Sequence, residues 1–238
     1  MIGNKIRIDL GPDTNFHAQR DGLALERMEH LLITHAHWDH WVVDELTWRR
    51  PGFSVVPDSA TLHIYGNERV EADVERLTCG DHRMFRLAFH KIEALVPIEL
   101  GNGVTAVPLC AEHDPSQLCF NFLLDVQGCR VLQGNDTGWW AEPTWEYLAK
   151  QRLDLVIMDS TYGRNDSKSG HLGGPWVVRV RERLAGLGAL ASGARFFATH
   201  FSHNGGWLHT DAESFYRPHG IEVAYDGLRV PLMAGGQQ

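Results

Sequence analysis

Basic residues are in short supply in this chain. Its 238 residues carry 22 Lys and Arg against 30 Asp and Glu, a formal net charge of −8. That deficit argues against a broad positive face that grips long nucleic acid, because neutralising phosphates needs clustered cations. Long apolar runs are missing too, since none approaches the roughly 18 residues of a membrane-spanning helix. Met1 to Leu10 also lacks the basic, apolar and small-residue zones of a secretory leader. The expectation is a cytoplasmic protein with no membrane partner. Cysteine is sparse, and Cys79, Cys110, Cys119 and Cys129 form no CxxC pair, so they read as free thiols in a reducing compartment rather than a disulfide scaffold. At 43% hydrophobic and 22% charged, the composition is globular, and the length suits a single domain over residues 1–238.

What the chain has in surplus is histidine, 14 residues in all, three of them between His35 and His40 and four from His171 to His209. The apolar pattern says where they fall. Ile6, Ile8 and Leu10 alternate as a strand closed by Gly11-Pro12, and Leu31-Leu32-Ile33 reads as a buried strand. A helix is expected from Trp41 to Arg50. Val104 to Leu109 reads as a strand, and Phe120 to Val126 with Arg130 to Leu132 as a hairpin about Gln127-Gly128. A helix over Thr144 to Gln151 leads into a strand over Leu153 to Met158. A second helix runs over Trp176 to Leu190, and a short strand over Arg195 to Ala198. A closing hairpin of Ile221 to Tyr225 with Leu228 to Leu232 is expected about Asp226-Gly227, and Gly163 to Pro175 is a long loop.

The strongest signal is Thr34-His35-Ala36-His37-Trp38-Asp39-His40 just beyond a strand. An HxHxDH arises by chance roughly 0.003 times in a chain of this composition. His35 and His37, two apart, can turn two imidazoles to one metal, while Asp39 and His40 begin the next element and can face a second ion. Other candidates stand where other strands end: His113, Asp136 in Gly134-Asn135-Asp136-Thr137-Gly138, and His200 in Thr199-His200-Phe201-Ser202-His203. Asp136 is the natural bridge, because a carboxylate offers one oxygen to each of two ions. All are nitrogen or oxygen donors, which suits Zn or Mn, with Fe also compatible. Trp38, Trp41, Trp139, Trp140 and Trp207 crowd the same motifs and form either an apolar wall for a small substrate or ordinary core.

This ordered set resembles the metallo-β-lactamase superfamily along nearly the whole chain. Asp159-Ser160-Thr161-Tyr162 with Gly170-His171-Leu172, and Thr199 to Asn204, resemble its phosphodiesterase branch, which holds the phosphoribosyl cyclic phosphodiesterase and the tRNA 3′-processing endonuclease. The resemblance implies an α/β fold, a four-layer αββα sandwich, here without the usual first strand. It implies that His35, His37 and His113 hold one divalent ion, Asp39, His40 and His200 the other, and Asp136 bridges them. Asp39 counts as both ligand and catalytic residue. His171 matches the proton donor, Asp159 its acidic partner, and His203 a contact to substrate phosphate. The implied activity is hydrolysis of a small or cyclic phosphodiester by a hydroxide bridging the two ions. Hydrolysis of a lactone or thioester, or a noncatalytic metal-binding scaffold, stays open as an alternative. The chain begins almost at the family's second strand, so the first strand is absent, the start lies further upstream, or a partner covers the edge. A homodimer is one expectation. The cysteine cluster of some relatives and the long arm that holds tRNA have no counterpart, so neither a structural zinc nor long nucleic acid is expected.

Overall fold

Parallel strands and helices alternate through the first 93 residues. The computed structural model describes residues 1–57 and 59–232, in two units, Met1–Glu93 and a second from Ala94 onward. In the first unit β1 (Ile6–Ile8), β2 (His30–Leu32), β3 (Leu62–Gly66) and β4 (Leu87–Lys91) form one sheet in that order, every pair parallel. Helix α1 (Thr14–Asp21) follows β1, and α2 (Glu68–Thr78) carries the chain from β3 to β4. Alternation along β3 puts Leu62 and Ile64 on one face, where they pack with Leu31, Ile33 and the α2 residues Val70 and Val74. Each such fully buried aliphatic side chain contributes about 1.5–3 kcal/mol. Asn67 starts α2, its side-chain oxygen accepting from the amides of Arg69 and Val70 at 2.9 and 3.0 Å.

The helix expected from Trp41 to Arg50 is a 3-10 helix over Val43–Arg49. Trp41 is held beside Leu10 by a parallel bridge and donates its indole N–H to Asp73. Arg49 donates to the carbonyls of Ala60, Phe85 and Arg86. A segment this short, anchored at both ends, takes the tighter turn.

The second unit holds a seven-stranded sheet made of β5 (Ile98–Glu99), β6 (Val104–Cys110), β7 (Phe120–Val126), β8 (Cys129–Gly134), β9 (Leu153–Asp159), β10 (Leu190–Thr199) and β11 (Glu222–Val223). The strands lie in sequence order, antiparallel from β5 to β8 and parallel from β8 to β11. The expected β7–β8 hairpin is present, with Gln127 and Gly128 both at positive φ, 54° and 90°, the pairing that a two-residue turn matched to strand twist requires. Helices α3 (Glu142–Leu148), α4 (Gly174–Gly186) and α5 (His209–Tyr216) bury Trp145, Leu148, Val177, Val180, Leu184 and Tyr216 in one core with Leu132, Val156 and Phe196 of the sheet.

Two expectations are corrected here. The strand over Arg195 to Ala198 starts earlier, at Leu190, and its pairing with β9 is irregular between Leu190 and Arg195, where Gly193 sits at φ 76°. The closing hairpin does not form. Tyr225 to Leu228 do turn, but residues 228–232 are not a strand, and β11 adds parallel to β10. A bidentate Arg195–Glu222 pair holds it on that edge.

One consequence of the topology matters for function. Because β6 and β8 both oppose β7, they run the same way as β9 and β10. The loops after Cys110, Gly134, Asp159 and Thr199 therefore all leave one edge of the sheet. This is the edge where parallel sheets keep their ligands. No helix among the described residues is long and apolar enough to cross a membrane. Asn67→Ala removes the cap of α2 and is expected to destabilise the protein by about 1–2 kcal/mol in urea unfolding. An unchanged midpoint would show that the cap is dispensable.

Candidate metal centre

In the first unit the HxHxDH loop is organised by Asp9, at the end of β1. Its carboxylate accepts from the Thr34 amide at 2.8 Å, from the Thr34 hydroxyl at 3.0 Å and from His40 Nδ1 at 2.7 Å. The single hydroxyl hydrogen of Thr34 goes to Asp9, so His35 Nδ1, 2.9 Å from that oxygen, is the donor to it. Both imidazoles are thereby fixed with Nε2 as the lone-pair nitrogen. His37 brings Nδ1 to 2.9 Å from His35 Nε2, with the two rings nearly perpendicular at 76°. Two nitrogens on one ion at about 2.0–2.1 Å stand close to that far apart. Asp39 is exposed and turns a carboxylate oxygen to 3.5 Å from His40 Nε2. Gly11 makes room for the loop, since a Cβ there would lie 2.2 Å from the Asp39 carbonyl oxygen.

The second unit repeats the device at the strand-end edge. Asp159, fully buried, accepts from His171 Nδ1 at 2.7 Å, from the Thr137 amide at 3.2 Å, and from the amide and hydroxyl of Thr161 at 2.7 and 2.5 Å. The Thr161 oxygen in turn accepts from His200 Nδ1 at 2.7 Å. His113 Nδ1 donates to the Gly170 carbonyl at 2.9 Å. In His113 and His200, Nδ1 is thus the donor and Nε2 carries the lone pair. Asp136, at the end of β8 and 3% exposed, points one oxygen at His200 Nε2, 2.9 Å away, and the other at His113 Nε2, 3.5 Å away. His113, Asp136 and His171 bring donor atoms within 4.8 Å of one another, as do Asp159, His171 and His200.

Burial draws the His171 imidazole toward its neutral form, but the hydrogen bond and charge of Asp159, with the charge of Asp136, outweigh it. Together they hold its pKa above the ordinary 6.5, against a smaller opposing effect of His200. Asp9, Asp136 and His200 all have positive φ, 60°, 50° and 59°, a region that costs a non-glycine residue about 1–3 kcal/mol and gathers at functional sites.

Each unit therefore brings together its share of the residues expected from sequence. Within the first these are His35, His37, Asp39 and His40; within the second, His113, Asp136, Asp159, His171 and His200. The donor chemistry fits divalent ions: imidazole and carboxylate groups, with the far nitrogen of four histidines tied to a carboxylate, hydroxyl or carbonyl, as metal-binding histidines require. His203 is exposed on a 3-10 turn, His203–Gly205, and its side chain takes no part in the Asp159 network. Of the tryptophans considered for a wall, Trp41 and Trp140 are core, Trp38 is exposed, and Trp139 and Trp207 are half-buried. Asp9 and Thr161 were missed. Each sits beside a recognised motif, and an acid closing a strand next to Gly11-Pro12 was the available signal for Asp9.

A family model described as Beta-lactamase superfamily domain matches residues 4–217. No curated protein matches the chain in sequence. Solved structures with a similar fold include a diphosphatase from the PhnP family, 22% identical over 94% of this chain and 77% of that one, with a TM-score of 0.70. The metallo-beta-lactamase fold protein YhfI from Bacillus subtilis is 16% identical over 96% of this chain and 88% of its own, at 0.71. The short form of human tRNase Z is 17% identical over 98% and 90%, at 0.70. At these identities the likeness carries the fold and nothing of the activity.

Asp9→Ala frees the rings of His35 and His40 to turn and is expected to weaken zinc binding about 10–100-fold in chelator competition. Unchanged affinity would remove Asp9 from this role. In the metal-free protein, an NMR titration of His171 is expected to centre above pH 6.5 and to fall in Asp159→Asn. Since the folded value lies above the unfolded one, the stability from this pair is complete below about pH 6.5 and lost as pH rises through the folded value. The variant should flatten that loss.

Proposed function

Because the chain belongs to the beta-lactamase superfamily, whose members are mostly hydrolases, we propose that it is a metal-dependent phosphodiesterase acting on a small or cyclic phosphodiester. The observation that carries this reading is the Asp159–His171 pair, 2.7 Å apart and beside the donors His113, Asp136 and His200. A thioester expels a thiolate that needs little help from an acid, whereas the alkoxide departing from an alkyl phosphodiester needs a proton. In this proposal His35, His37 and His113 hold one divalent ion, Asp39, His40 and His200 a second, and Asp136 spans both. Zinc or manganese suits these donors, and iron is also compatible. When bound, such ions lower the pKa of water and neutralise charge on phosphoryl oxygens.

The protein's own residues do the rest. Asp159 fixes His171 through Nδ1, so that the proton to be given up sits on Nε2. The carboxylates of Asp159 and Asp136 favour the protonated form of that ring. Asp159 never needs to move, because Thr137 and Thr161 satisfy its remaining lone pairs. His203, which is exposed, is proposed to reach a phosphate oxygen once substrate is present. A short substrate also fits the charge balance, since a chain of net −8 repels a long polyanion while bound cations attract a single phosphate.

His171→Ala is expected to lower turnover of a 2′,3′-cyclic nucleotide, whose leaving group is an alkoxide, by about 10²–10⁴ with metal content unchanged, while Asp136→Ala should lose metal. Full activity in the first variant, or hydrolysis of lactones and thioesters alone, would overturn the reading.

A further inference from the structure

Beside His113 the second unit has a cavity of about 530 Å³ that none of the reacting groups fills. It lies within the range of small-ligand pockets, about 300–1,000 Å³. It is lined by Cys110 and Glu112 at the end of β6, by Trp139, by the segment from Lys168 to Gly170 and by Leu118. Backbone bonds tie the walls together, Gly138 N to Glu112 O and Trp139 N to Lys168 O, both at 2.8 Å. Gly138 permits this, for a Cβ there would meet Lys168 O at 2.6 Å.

The cavity adjoins the loop that carries the proton donor. Gly170 immediately precedes His171, and the rings of His113 and His171 stand edge to face with centroids 4.7 Å apart. His113 lines the cavity and belongs to the donor cluster with Asp136 and His171, so the space adjoins that cluster.

Its chemistry is selective. Trp139 is a fixed flat surface, braced by Trp145 and Trp176 at 4.9 and 5.4 Å between centroids, and half-exposed Leu118 adds apolar area. Burial and the neighbouring Glu112 charge keep the Cys110 thiol neutral, so it is wall and not nucleophile. Asp114 is taken up by the amide and hydroxyl of Ser116 and by Gln117. Lys168 lays its ammonium over the Trp176 ring, 5.3 Å from the centroid. Glu112 is different: it is exposed, and among the described residues its carboxylate makes no hydrogen bond or ion pair. The pocket thus offers an aromatic face and one uncommitted anionic acceptor. That combination rejects a further phosphate and accepts a flat ring bearing N–H donors.

We propose that this cavity is the leaving-group subsite and that it takes an amino-bearing nucleoside, guanosine best of all, with the base against Trp139 and Leu118 and its N1–H and 2-amino group on the two oxygens of Glu112. The inference rests on the phosphodiesterase reading. In the reaction it implies, the oxygen of water joins phosphorus, the bond from phosphorus to the nucleoside oxygen breaks, and that oxygen takes the proton of His171. The proton lost by water restores His171, and the products are a phosphomonoester and a neutral nucleoside.

The test is equilibrium dialysis of the metal-loaded protein with guanosine and with inosine, which lacks only the 2-amino group, alongside a separate assay on bis-p-nitrophenyl phosphate. Wild type should bind guanosine at least tenfold tighter than inosine, and Glu112→Gln, an exposed and isosteric change, should bring the two within about twofold. Equal binding by wild type, no binding of either nucleoside, or a preference that survives Glu112→Gln would each overturn the subsite. Diester hydrolysis without nucleoside preference leaves the activity standing and removes the subsite. Nucleoside preference without any diester hydrolysis retains the pocket's specificity and removes the phosphodiesterase reading with its leaving-group role.

Discussion

In each unit the candidate ligands depend on an aspartate that holds one histidine directly and a second through a threonine hydroxyl. Asp9 holds His40, and through Thr34 it holds His35. Asp159 holds His171, and through Thr161 it holds His200. An ionised carboxylate out of water is costly unless every lone pair is matched, and removing a partner from such a group costs about 3–5 kcal/mol. Each aspartate is therefore bound to its loop as firmly as the loop is bound to it. The same bonds that satisfy the carboxylates choose the tautomers of the rings, and so decide which nitrogen remains available.

Backbone strain belongs to the same economy. Asp9, Asp136 and His200 occupy left-handed conformations, and each is caught in a strong polar contact. Strand ends supply the rigidity that sustains this. β8, β9 and β10 are paired in parallel, with Thr199 opposite Asp159 and Gly134 opposite Met158, so the residues that follow are launched from a common edge with little freedom. The long loop that carries His171 is anchored at the same edge, by Tyr162 N to Leu172 O and by Gly173 N to Ser167 O.

Much of this was legible in the order of residues. HxHxDH announced metal chemistry because three imidazoles and a carboxylate rarely fall at that spacing without cause, and His113, Asp136 and His200 were recognisable as polar residues closing apolar runs. Asp9 and Thr161 were not, because an acid or a threonine at a strand end is ordinary and acquires meaning only from what faces it, 25 to 39 positions away in the chain. Trp41 and Trp140, which beside the motifs could be either substrate wall or core, are core. Proximity in sequence does not say on which side of the backbone a ring falls.

The sequence by itself determined the local patterns: which stretches extend, where the β7–β8 turn lies, and which residue types could bind metal or move a proton. These depend on side-chain periodicity and donor chemistry, both properties of short windows. Tertiary structure alone decided that the 41–50 segment tightens into a 3-10 helix, that β11 joins β10 in parallel instead of folding back on residues 228–232, and that Glu112 stands uncommitted beside Trp139. Each of these depends on partners distant in the chain, whose approach is governed by packing and by the need to satisfy buried polar groups.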